Sequence, residues 1–128
     1  MAFKFEKLKV WSAALTISSH IHQLTKQFPK DELFILSSQI KRATDSISLN
    51  IAEGSTGQTN LEQKKFIGYA QRSAIEVVNG LFLAKSRMYI DTNQFSEHYH
   101  RMEDFLIMLQ AFKRAITCDR SSPILLAL

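Results

Sequence analysis

Apolar residues recur along this chain at alternating spacings of three and four, the period that lays a stripe down one side of an α-helix. Val10, Ala14, Ile17, Ile21, Leu24 and Phe28 make the first such seam and predict a helix over about 8–27. Phe28-Pro29 ends it, because a residue before proline is pushed out of the α region. Asp31 and Glu32 then put negative charge where a helix dipole favours it. Leu33, Leu36, Ile40, Ala43, Ile47 and Ile51 continue as the seam of a second helix, over about 31–53. Gly54-Ser55-Thr56-Gly57 closes that helix, with glycine suited to the left-handed cap position. Thr59-Asn60-Leu61-Glu62 reads as a capping box and opens a third helix over about 60–89. Its predicted seam is Phe66, Ala70, Ser73, Val77, Leu81, Ala84 and Met88. Asp91-Thr92-Asn93 supplies the next turn. Phe95, Tyr99, Met102, Leu106, Leu109, Phe112 and Ile116 line a fourth helix over about 93–119.

Short connections between long helices favour antiparallel neighbours, so the pattern predicts an all-α, up-down-up-down antiparallel four-helix bundle. One domain spanning 1–128 is expected, its last stretch a short tail at 120–128 that folds onto the bundle or a neighbouring copy. Two helices carry more apolar surface than one seam uses. The third adds Ile67, Ala74, Ile75, Val78, Phe82 and Tyr89; the first adds Leu8, Trp11 and Leu15. A helix apolar on two sides must cover both, which makes the bundle oligomeric.

Composition narrows the classes without choosing a function. At 128 residues roughly two-thirds of the unfolded surface can be buried, enough for one core. Four glycines and two prolines leave little material for turns, which agrees with a few long elements. The formal charge of +4 permits an acidic partner and does not demand one. Cys118 is the lone cysteine, so no internal disulfide can form. No segment approaches the ~18 to 20 apolar residues of a membrane span, and the start lacks a signal-peptide core. The expectation is a cytoplasmic protein with no membrane partner.

Catalytic and metal chemistry find little to stand on. His20 with His22, and His98 with His100, are spaced two apart and point about 200° away from each other on a helix. Neither pair can chelate one ion, and no metal or other cofactor is expected. The Gly54–Gly57 stretch lacks the Gly-Lys-Ser/Thr ending of a phosphate loop and follows a helix instead of a strand. Glu53 and Glu76 could be read as an acid and base. The better reading places them in a structural polar network with Arg42, Ser46, Asn50 and Ser73 along the facing sides of the second and third helices. The chain is therefore read as no enzyme. Its basic residues are scattered pairs, of which Lys64, Lys65, Arg72, Lys85 and Arg87 are the candidates for phosphate contacts. Repeated in a ring of five, the charge would reach about +20 and attract nucleic-acid backbones with steep salt dependence.

Several blocks carry a family resemblance. They are Phe5-x-x-Leu8-x-Val10-Trp11, Leu24-Thr25-x-x-Phe28-Pro29, Gln39-Ile40-x-Arg42-Ala43, Ser46-Ile47 and Asn50-Ile51-Ala52-Glu53-Gly54. With Phe66, Ala70, Ser73 and Glu76, they resemble the four-helix-bundle proteins encoded in 23S rRNA intervening sequences. The resemblance covers about two-thirds of the chain and implies a homopentamer without enzymatic activity. It also points to a relative, the accessory variability determinant of diversity-generating retroelements, a basic pentamer that binds nucleic acid and a reverse transcriptase. RNA or DNA binding follows as the implied function; an accessory or scaffold role toward a protein partner such as a reverse transcriptase is the alternative. Two departures stand out. Ser48-Leu49 follow Ile47 where the family often has proline, and Phe34-Ile35 replace a common Tyr-Gly pair.

Overall fold

The computed structural model describes residues 3–57 and 59–116. Four helices run antiparallel in sequence: α1 Lys9–Thr25, α2 Leu36–Ser55, α3 Asn60–Ser86 and α4 Thr92–Ile116. A 3-10 turn at Lys4–Lys7 precedes α1, and another at Lys30–Glu32 precedes α2. No strand occurs among the described residues. The most extensive pairing is α2 with α3; α1 and α4 close the bundle with the least contact. Two ends result. The α1–α2 and α3–α4 turns share one, which we call the turn end. The Lys4–Lys7 turn, the α2–α3 connection and the close of α4 share the other.

The α1 seam is buried as the spacing predicts, from Val10 through Phe28. In α2, Leu36, Ile40, Ala43, Ile47 and Ile51 are buried, whereas Leu33 lies in the preceding turn and is half exposed. The helix starts at Leu36 and not near 31 because Lys30–Glu32 winds as a 3-10 turn that turns Glu32 inward. From there α2 runs unbroken through Ser48 and Leu49 to Ser55.

The third helix departs most from expectation. Its buried residues are Gln63, Ile67, Ala70, Ala74, Val77, Gly80, Leu81 and Ala84. Ile67 and Ala74, read from sequence as surplus flank, are fully buried core, while Phe66 and Ser73 sit on the edge. In α4 the core includes Phe105, with Tyr99 and Leu106 packed only partly against it. Part of the apparent surplus is thus spent inside the bundle.

Glycine permits the tight α2–α3 approach. A Cβ on Gly54 would stand 2.9 Å from the Phe66 Cβ, and one on Gly80 would stand 2.8 Å from the Ile40 Cδ1. Gly54 is therefore a helical contact residue and not a left-handed cap; no described glycine has a positive φ. The Thr59 hydroxyl does cap α3, accepting from the Glu62 amide at 3.1 Å.

The left-handed residue is Met88, at φ 63°. The Tyr89 amide reaches the Ala84 carbonyl at 2.9 Å and the Met88 amide reaches Lys85 at 3.0 Å. That pair of bonds is a Schellman close, in which glycine normally takes the left-handed position. Met88, predicted as seam, is instead 88% exposed. With no contact to lose, Met88→Gly is expected to raise stability by about 0.5–1 kcal/mol, read from the denaturant midpoint at unchanged m-value.

Candidate functional site

The predicted polar network divides. Asn50 Nδ2 donates to the Ser46 carbonyl at 2.8 Å and to Ser46 Oγ at 3.0 Å, and Ser73 Oγ donates to Ser46 Oγ at 3.0 Å. Ser46 is the hub, and the bond from Ser73 is the one that crosses from α3 to α2. Arg42 and Glu76 line the same groove with Gln39, Ala43, Ser46 and Ser73, around a volume of about 520 Å³. The Arg42 guanidinium reaches Ser38 Oγ at 3.2 Å on its own helix and makes no ion pair with Glu76. Glu53 does not join. Neighbouring Gly54 faces Gln63 and Phe66, which puts Glu53 about 15 Å along the bundle from Glu76. The two carboxylates cannot act as a pair.

The network is shallower than expected, since its hydroxyls are half-buried and its charges exposed. It lies on the rim of the α2–α3 contact and not within it. A cross-helix hydroxyl bond of this kind contributes about 0.5–1.5 kcal/mol. Ser46→Ala and Ser73→Ala are expected to be non-additive by about 0.5–1 kcal/mol in a double-mutant cycle of urea unfolding.

A second polar cluster joins α1 to α2. Ser18 Oγ donates to Asp45 Oδ1 at 2.6 Å, and His22 Nε2 meets the same oxygen at 2.9 Å. The residue types are those of a hydrolytic triad, but the hydroxyl bonds the carboxylate directly, leaving the imidazole no proton to take from it. Elsewhere Arg101 binds Glu97 at 2.8 Å and His20 Nδ1 at 2.7 Å, tying α4 to α1. Burial and the Arg101 charge hold His98 below its ordinary pKa of 6.5. Among the described residues no three His, Cys, Asp or Glu side chains gather as a metal site. Cys118 lies outside the described residues.

The basic candidates also separate. Lys85 stands 4.5 Å over the Phe95 ring. Arg87 Nη1 binds Glu32 Oε2 at 2.9 Å, and the Tyr89 hydroxyl donates to the same oxygen at 2.6 Å. Both cations belong to the turn end, where Glu32 locks the α1–α2 turn to the α3–α4 turn. The Tyr89 hydrogen bond first, then the Leu36 amide and the Arg87 charge, hold the Glu32 carboxyl below its ordinary 4.5 against the opposing effect of burial. Tyr89 is raised above 10.0 by the same bond. A depressed carboxyl stabilises above its unfolded pKa and loses that contribution as pH falls through its folded value. The melting-temperature gap between wild type and Glu32→Gln should therefore be widest at neutral pH and shrink below about pH 4.5.

Lys64 and Lys65 lie roughly 30 Å away, near the start of α3. With Thr59, Leu61, Glu62 and Lys113 they line a surface recess of about 590 Å³. Lys113 was not singled out from sequence; α4 brings it across Gly68 to donate to Gln71 Oε1 at 3.1 Å. Arg72 is exposed two turns above Lys65 on the same face. Lys4, Lys7, Lys9, Lys64, Lys65, Lys113 and Arg114 crowd this end against Glu6, Glu53 and Glu62. Seven basic and three acidic side chains there equal the chain's whole formal charge of +4. The rest of the described chain balances at eight of each sign.

The sequence of residues 6–111 matches the family described as 23S rRNA-intervening sequence protein. The chain belongs to that family. A solved structure with the same fold is a protein of unknown function from the S23 ribosomal protein family of Bacteroides thetaiotaomicron. It is 24% identical, with a TM-score of 0.75, and the match covers 82% of this chain and 98% of that one. No curated protein matches the chain. No described helix is long and apolar enough to cross a membrane. The family assignment fixes the fold and names no activity.

Proposed function

We propose that this family member is a non-enzymatic bundle that assembles with copies of itself, as a pentamer, and holds an RNA or DNA phosphate backbone against its basic end. The segregated charge carries this reading. An excess of positive charge concentrated at one end, on a body that is otherwise balanced, attracts a polyanion far more strongly than the same charge spread evenly. In a closed ring whose bundles run parallel, symmetry gathers those ends on one face. Among the described residues no base-reading element lies beside Lys64, Lys65 and Lys113, so the contacts would be backbone contacts with weak sequence preference.

The apolar tip at the turn end favours a second reading, an accessory or scaffold protein without a direct nucleic-acid role. Phe34 and Met88 are each 88% exposed there, and Ile35 is 63% exposed. A salt titration of binding to a short single-stranded RNA separates the two. Light scattering on the same samples reads the subunit number. Backbone binding predicts a steep fall of log K with log salt, and Lys64→Gln with Lys65→Gln should flatten that slope by roughly 1.4. Lys85→Gln, at the turn end, should leave the slope unchanged. Flat, negligible binding at low salt selects the scaffold.

A further inference from the structure

We propose that copies of this chain join flank to flank, the α3–α4 groove of one bundle against the α1–α4 groove of the next. The inference rests on the self-assembly proposed above and assigns its surfaces. The first groove holds about 560 Å³ and passes Ile75, Glu103, Leu106, Ile107 and Arg114. The second holds about 440 Å³ and passes Thr16, His20, Arg101, Asp104 and Met108. Ile75 is 57% exposed, Ile107 66% and Met108 36%, so each groove turns apolar side chains to water. Such strips are costly to leave wet and mark docking surfaces. The 120–128 tail lies outside the described residues, and the contact is built from described residues alone.

Symmetry makes the match demanding. A ring of parallel bundles is generated by rotation alone, so each residue meets the next copy at its own height. Both grooves meet that demand because both border α4. Gln71 meets Gln110 at 2.7 Å, and counting along the antiparallel pair from there sets Ile75 level with Leu106. Arg101 meets His20 at 2.7 Å, which sets Thr16 level with Phe105 in the same way. The apolar stretches of the two grooves therefore coincide in height. Charge agrees in order as well. Read down α4, one groove carries Glu103 and then Arg114, the other Arg101 and then Asp104, so facing grooves present opposite signs in sequence. Arg101 already holds Glu97 and His20, and its fork keeps further donors for Glu103 of the next copy.

Shared use of α4 also decides the shape. α1 and α3 each pack on α2 and α4, so the two grooved flanks are adjacent and face about 90° apart. A copy held on adjacent flanks turns its neighbours towards one another, and the row closes as a small ring; contacts on opposite flanks would run on as a filament. In that ring α4 stands nearest the axis. The outer face of α2, with Leu49 61% exposed, stands farthest from it. Arg114, at the foot of the α3–α4 groove, belongs to the basic end, so the contact runs directly into the surface proposed to hold phosphate.

Disulfide trapping of the full chain tests it. In a Cys118→Ser background, Ile75→Cys is paired with Thr16→Cys, or with Leu49→Cys as control. All three partner positions are exposed, so the core is untouched. α1 and α3 stand at opposite corners of the bundle, too far apart for a Thr16–Ile75 disulfide within one chain. Mild oxidation should give a covalent ladder rising to the subunit number read by light scattering, with about tenfold more multimer than the Leu49 pair. Dimers from Ile75→Cys alone would mean that this flank packs on itself, and would overturn the proposal. Assembled protein with no ladder, or equal ladders from both pairs, overturns the choice of surfaces and leaves assembly standing. A lone monomer in light scattering overturns both. A ladder from protein that retains no RNA supports the surfaces and overturns only the phosphate reading.

Discussion

The close approach of α2 to α3 is the constraint from which the rest of the structure follows. Gly54 against Phe66 and Gly80 against Ile40 bring the two backbones together at both ends of the shared interface. The two contacts are not equivalent. Ile40 Cδ1 is the far end of a flexible side chain and can turn aside, whereas the Phe66 Cβ is fixed by its backbone. The Gly54 contact therefore sets the register more firmly. With that register in place, Ser73 comes opposite Ser46 and Glu76 opposite Arg42, and the α2–α3 connection is short enough to carry Lys64 and Lys65 at the bundle's end.

The turn end is held by a different kind of interaction. Glu32 is buried, and it accepts hydrogen bonds from a tyrosine and an arginine across two turns remote in sequence. Gln27 adds bonds to the Tyr89 carbonyl and the Gln94 side chain, so the two turns are tied at a second point. A buried carboxylate is tolerable only when its lone pairs are used and its charge is met, and here both conditions hold. The cost is that Arg87, and with it the cationic ring partner Lys85, is committed to architecture.

How much of this was legible follows from what spacing can encode. The α1 seam was readable residue for residue because α1 buries one narrow stripe. The third helix packs between α2 and α4 and buries a stripe of the same spacing, Gln63, Ile67, Ala70, Ala74, Val77, Leu81 and Ala84, but carries further apolar residues beside it that blur its phase. Ala70, Val77, Leu81 and Ala84 fall on the predicted seam, but choosing Phe66 over Ile67 and Ser73 over Ala74 displaced it by one residue at those two steps. The residues missed there are small, Ala74 and Gly80, which admit close packing and carry little hydrophobic signal. The polar strip on α2 was visible as a spacing on one helix. That Glu53 falls outside the network depends on where α3 crosses, which no single-helix periodicity contains. Likewise Lys113 joins Lys64 and Lys65 only once α4 returns to the same end, and Arg87 leaves the candidates only once Glu32 turns inward.

Charge placement and self-association bear on each other in the proposed assembly. Copies packing side by side bring their flanks within a Debye length, about 8–10 Å at ordinary salt, where like charges repel. The described chain outside the basic end, turn end included, balances at eight of each sign and so opposes that approach little. The same +4 spread along the bundle would be pressed together at every new contact, and the repulsion would grow with each copy added. Confined to one end, the charge stays at the edge of each side-to-side contact, exposed to solvent ions that screen it until a polyanion displaces them. Neutral sides and a charged end are thus two halves of one arrangement. It lets assembly and phosphate attraction rise together, where a uniformly basic bundle would have to trade one against the other.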